Sequence, residues 1–214
     1  MMPAMRAHSL LGLVCLAALQ VGCTTLVPLR YSADTPTAAA SQATPLVSVG
    51  PFTDARTKDH GPDWLGAIRG GFGNRLKTLR TQLPTSQVIQ DAYADGLRAR
   101  GVFAEPGQGK YVLEGTIEKF DCSEFVNLEA HANVTIRVSD SGTGAQVYSY
   151  PYLVNETEGG FGAGVFGSVE TLRLLAERTL RELVDRSLDD PGLRKSLQIQ
   201  TPSSIPTSAP SPTP

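Results

Sequence analysis

The chain has 214 residues, of which 41% are apolar, 19% charged and 7% aromatic, enough for one ordinary packed domain and little more. That composition excludes a collagen, a coiled coil and a multi-pass membrane protein. Nineteen basic against 21 acidic side chains leave a formal charge of −2, so there is no basic excess to predict a nucleic-acid-binding face.

The first residues predict the compartment. Arg6 gives a positive start, and the run from Leu10 to Leu19 is an apolar core of signal-peptide length. It ends at Gln20, after about half the apolar length that a membrane-spanning helix needs. Val21-Gly22-Cys23 follows, which resembles a bacterial lipobox: a small residue before a cysteine that takes diacylglycerol on sulfur and becomes the new N-terminus. The third residue before that cysteine is usually Leu and is Gln20 here, with Leu19 one place further back. Residues 1–22 are therefore expected to be a lipoprotein signal peptide, with Cys23 carrying the lipid. Cys15 leaves with that peptide, so Cys122 is the one free thiol of the mature domain and is expected to be structural.

Residues 23–44 are mostly small and polar and predict a flexible stalk. At the other end, 199–214 is a Pro/Ser/Thr tract expected to be disordered. The domain proper is placed at 45–198. Within it, Leu46 to Val49 reads as a strand ended by Gly50-Pro51, and Lys58 to Leu83 gives only weak signals. A helix begins at Pro84-Thr85-Ser86, with Val88, Ile89, Ala92, Tyr93 and Leu97 on one face and Gly101 as its stop.

Alternation then predicts strands over Lys110–Phe120 and Leu128–Val138. A turn at Asp140-Ser141-Gly142-Thr143-Gly144 leads into a third strand through Val154. A long helix from about Val165 to Leu188 closes the pattern, with Val169, Leu172, Ala176, Leu180 and Leu183 along one stripe. The predicted order is strand, helix, three strands, helix. This is an α+β fold: a mainly antiparallel sheet of about four strands with two helices on one face.

Several of these segments together resemble the YajG-type bacterial lipoproteins. They are the lipobox-like start, Val49 and Phe52 leading into Asp54-Ala55-Arg56, the helix ending Leu97-Arg98-Ala99-Arg100-Gly101, the turn Asp140 to Gly144, and the late helix running to Asp190-Pro191. The auxiliary lipoproteins of ABC-type lipid transporters share these short motifs. The resemblance implies an envelope location and no assigned chemistry. In enterobacterial-type sorting, Thr24 in place of Asp after the cysteine looks like an outer-membrane signal, facing the periplasm.

Signals for chemistry are few. Gly162-Ala163-Gly164-Val165-Phe166-Gly167 spells G-x-G-x-x-G, but no parallel strand follows the helix it opens, so a tight glycine turn is the expectation rather than a dinucleotide loop. Gly159-Gly160-Phe161-Gly162 repeats Gly70-Gly71-Phe72-Gly73, which makes Phe72 and Phe161 candidates for an exposed apolar lip that takes a lipid or a protein partner. His60 and His131 have no neighbours at metal-ligand spacing beyond Asp59, Asp63 and Glu129, so no metal and no cofactor is expected. Asp54 and Arg56 are expected to form a structural pair. The function expected is that of a membrane-anchored periplasmic lipoprotein, a non-enzymatic binding or envelope-assembly component with an envelope protein or lipid as partner and no nucleic acid. An auxiliary subunit of an ABC-type lipid transporter is the alternative. A hydrolytic envelope enzyme competes less well, because the chain has few histidines and a lone Cys122.

Overall fold

Alternating inward and outward residues dominate the second half of the chain, and there the strands are longest. In the computed structural model, which describes residues 23–33, 45–57, 60–159 and 168–198, the strands are β1 (Cys23–Val27), β2 (Val47–Asp54), β3 (Trp64–Arg69), β4 (Arg75–Thr81), β5 (Tyr111–Glu124), β6 (Asn127–Asp140) and β7 (Gln146–Gly159). The helices are α1 (Thr85–Ala99), α2 (Val169–Leu188) and α3 (Pro191–Ser196).

One seven-stranded sheet runs in the order β1-β4-β3-β5-β6-β7, with β2 also paired to β5. The β5-β6-β7 meander and the β3-β4 hairpin are antiparallel, whereas β1 with β4, β2 with β5 and β3 with β5 are parallel. On one sheet face, Leu113, Ile117, Phe120, Val134 and Ile136 are almost fully buried, and the stripe Leu172, Ala176, Leu180 and Leu183 of α2 joins them in one core. Burial of each such side chain contributes about 1.5 to 3 kcal/mol. Tyr93 of α1 is buried in the same core, with its hydroxyl 2.8 Å from that of Ser187. Gly96 lets the two helices meet, since a Cβ there would lie 2.6 Å from Val184.

The architecture departs from the expected mainly antiparallel sheet of about four strands with two helices: among the described residues the sheet is mixed and has seven strands, and there are three helices. Three local causes account for the difference. First, Gly50-Pro51 does not end β2. Its register with β5 shifts between Val49 and Phe52, and that irregularity accommodates a proline with no N–H to give. Phe52 then packs over Gly115, where a Cβ would stand 2.1 Å from its ring. Second, β3 and β4 lie in the segment of weak signal. Leu65, Gly66, Ala67 and Ile68 are consecutively buried, so the strand has no period-two alternation to read.

Third, the expected stalk over 23–44 opens with β1 and with Val27, Leu29 and Tyr31 packed into the core. The Tyr31 hydroxyl donates to Asp185 at 2.6 Å, and Arg100 bridges Asp185 and Asp189 at 3.0 and 2.7 Å, tying this segment to both long helices. Burial and Asp185 together push the Tyr31 hydroxyl up to about 12, so it stays protonated and donating. Residues 34–44, the expected signal peptide 1–22, the Gly162–Gly167 motif, Phe161 and the expected tail 199–214 lie outside the described residues. Among the described residues no helix is long and apolar enough to cross a membrane.

Candidate functional site

β2 and β3 occupy the same edge of β5 in succession. β2 pairs as far as Ile117 and β3 begins at Cys122, which leaves a gap in the edge around Phe120. Arg56, two residues past the end of β2, fills that gap. Its Nε and Nη2 donate to the Asp54 carboxylate at 2.9 and 2.8 Å, Nη1 donates to the Trp64 and Phe120 carbonyls at 2.9 Å each, and Nη2 donates to the Pro62 carbonyl at 3.1 Å. A guanidinium has five N–H groups, so every donor is engaged. The Asp54–Arg56 pair expected from the i, i+2 spacing is therefore present. It closes a seam in the sheet and has no donor left for an anion.

Over the seam, on the sheet face away from the helices, lies a cavity of about 600 Å³. Trp64 and His60 stack at one wall with ring centroids 4.0 Å apart, and Lys119, Asp121 and Asn133 complete the rim. His131 is half-buried, and its Nδ1 lies 3.0 Å from Asp121 Oδ1. Trp64 Nε1 and Asn133 Oδ1 are buried and have no hydrogen-bond partner among the described residues, so the wall offers one unmet donor and one unmet acceptor. That pair suits water or a small neutral polar group.

Two groups near the seam, Asp54 and Cys122, are held away from acid–base or nucleophilic work. Hydrogen bonds from Arg56 hold the Asp54 carboxyl below the usual carboxylate range, where it cannot carry a proton near neutrality. Cys122 is completely buried, and burial pushes its thiol well above the ordinary cysteine range, so it is held as a neutral thiol packed in the core. Among the described residues no group of three His, Cys, Asp or Glu side chains is placed to hold a metal ion.

Of the other sequence candidates, Cys23 and Phe72 lie at one end of the sheet. Cys23 is exposed at the start of β1. Phe72 is fully exposed at the tip of the β3-β4 hairpin. A second apolar tip, Phe125-Val126 between β5 and β6, was not predicted from the sequence; these residues are 44% and 65% exposed. Their signal was available, because two large apolar residues follow an alternating strand just where its alternation stops.

No family model matches the chain, and no curated protein matches it. Among solved structures, the chain is similar to a Xanthomonas campestris protein of the DUF330 family, with a TM-score of 0.61 and 14% identity over 83% of this chain and 100% of that one. This likeness establishes the fold. A minor lipoprotein from Acinetobacter baumannii aligns with a TM-score of 0.41 and 12% identity over 72% of this chain and 95% of that one. PelC from Paraburkholderia phytofirmans aligns with a TM-score of 0.39 and 19% identity over 65% of this chain and 85% of that one.

Proposed function

We propose that the chain is a lipid-anchored protein of a bacterial cell envelope, held by acyl groups on Cys23 and acting as a non-enzymatic binding or assembly component. The observation that carries this is the pairing of sequence and position at Cys23. An apolar core of signal-peptide length is followed by Val21-Gly22-Cys23, and the cysteine is exposed at the start of β1, where its sulfur is accessible to modification. The other cysteine left after cleavage, Cys122, is buried. Two or three acyl chains such as palmitate hold a protein on a bilayer stably, at about 0.8 kcal/mol per buried CH₂. The fully engaged Arg56, the ionised Asp54 and the neutral Cys122 support a binding role over a catalytic one. Thr24 favours an outer-membrane position facing the periplasm, within a group such as the YajG-type lipoproteins. An auxiliary subunit of an ABC-type lipid transporter is a special case, recognised by a stoichiometric membrane partner after crosslinking in intact cells.

The test is the mass of the mature protein and its fractionation. An acylated Cys23 at the N-terminus is expected, and Cys23→Ser should move the protein from membranes to the soluble fraction. An unmodified Cys23, recovered from a host with the lipidation enzymes, overturns the proposal.

A further inference from the structure

We infer that the end of the sheet carrying Cys23 is a bilayer-contacting surface, in which the tips at Phe72 and at Phe125-Val126 enter the headgroup layer beside the anchor. The inference rests on the proposed acylation of Cys23. The sheet register supplies the geometry. Cys23 lies opposite Lys77, Lys77 opposite Ile68, Ile68 opposite Glu124, and Glu124 opposite Leu128, so one line across the strands joins the anchor to both tips. With strands spaced about 4.8 Å apart, Glu124 is roughly 14 Å from Cys23. Beyond that line the β3-β4 hairpin continues through Gly70 to Asn74, and its tip projects about 7 to 10 Å past the level of Cys23. That matches the depth, about 5 to 10 Å, at which amphipathic surfaces settle into the headgroup and acyl boundary.

The chemistry of the Phe72 tip matches the same occupant. Phe72 is 101% exposed, more than any other large apolar side chain among the described residues, and Leu76 on the strand that follows it is exposed as well. Residues 69–77 carry Arg69, Arg75 and Lys77 and no acidic residue, so the apolar tip is flanked by cations, as contact with anionic headgroups requires. Gly71 and Gly73, with φ of +76° at Gly73, leave the tip narrow, with open space where their side chains would be. β1 is hydrogen-bonded from Cys23 onward, and Tyr31 is clamped to Asp185, so no slack separates anchor from tips.

The experiment uses the acylated full chain in vesicles of phosphatidylethanolamine and phosphatidylglycerol that carry nitroxide-bearing acyl chains. Phe72→Cys, Phe125→Cys and, at the opposite end, Ala145→Cys are each labelled with a polarity-sensitive fluorophore, since Cys23 is blocked and Cys122 buried. Quenching and a blue shift at positions 72 and 125, with neither at 145, are expected on reconstitution. Equal quenching at all three overturns the inference, as does a blue shift at 72 or 125 already present in detergent and unchanged by lipid, which marks a second copy or another protein on the tips. The intact mass of the same preparation separates the two proposals. An acylated Cys23 with unquenched tips sinks this inference alone, whereas an unacylated Cys23 sinks the anchor.

Discussion

Two glycine-bearing hairpin tips cap opposite ends of the same sheet, and they are built in opposite ways. At Asp140–Gly144 the turn satisfies itself: the Asp140 carboxylate accepts from the Gly142 and Thr143 amides at 3.1 and 2.9 Å and from the Thr143 hydroxyl at 3.0 Å. Those bonds pull the Asp140 carboxyl below its ordinary range. At Gly70–Asn74 the backbone closes through the Gly73 amide and the Gly70 carbonyl at 2.8 Å, and the one large side chain, Phe72, touches nothing. Glycine reports only that a turn exists. The side chain between the glycines sets the two turns apart: a polar, self-sufficient turn at one end of the sheet and, at the other, a turn whose Phe72 is fully exposed.

The largest expected effect probes how tightly the Phe72 end is joined to the rest. Gly66→Ala places a Cβ 1.9 Å from the Cys122 carbonyl oxygen in the β3-β5 pairing, and backbone cannot yield there as a side chain can. Loss of the cooperative thermal transition, or destabilisation of about 4 kcal/mol or more, is expected. The same change at Gly144 of the polar turn, where φ is +70° and the space is open, should cost only about 1 kcal/mol by denaturant titration.

A smaller effect lies at Glu124. It is 1% exposed, both carboxyl oxygens have no hydrogen-bond partner among the described residues, and burial raises its carboxyl while Lys77 partly offsets that. An acid raised in the folded state destabilises as pH climbs above its unfolded value, near about 4.3, because only the unfolded chain then ionises freely. Glu124→Gln should therefore gain about 1 kcal/mol at pH 7, with the gain vanishing below about pH 4 in urea melts recorded across pH. A gain that persists at low pH would break this account. The smallest effect is Phe72→Ala, which should leave stability within about 0.5 kcal/mol, whereas Phe52→Ala in the core should cost about 3 to 5 kcal/mol. A large loss at Phe72 would erase the contrast between the two ends.

What the sequence disclosed follows from which residues face two environments. β5 and β6 each have one buried and one half-open face, so their alternation is visible, and the α1 and α2 stripes are visible for the same reason. β3 is hidden because Gly66 and Ala67 are buried in succession, and β4 because its first half, Arg75 to Lys77, is exposed throughout. β1 is hidden because Thr24 and Thr25 read as linker, while the residue that fixes this segment, Tyr31, finds its partners 69 and 154 positions away. At the seam, the Asp54–Arg56 pair was legible from its spacing. The carbonyls of Trp64 and Phe120 that complete the Arg56 shell were not, since they meet only where two strands share one edge of β5.

The absence of slack between Cys23 and β1 also fixes the height at which the other end of the molecule stands. β5, β6 and β7 are each 14 residues long, which at about 3.3 Å per residue is roughly 45 Å of sheet. Gln198, where the described chain stops, donates no strand of its own but meets the Lys110 ammonium at 3.4 Å, beside the far end of that sheet. With Cys23 held at a bilayer, as proposed, Gln198 stands at the top of the domain rather than at its base, about 45 Å above the lipid.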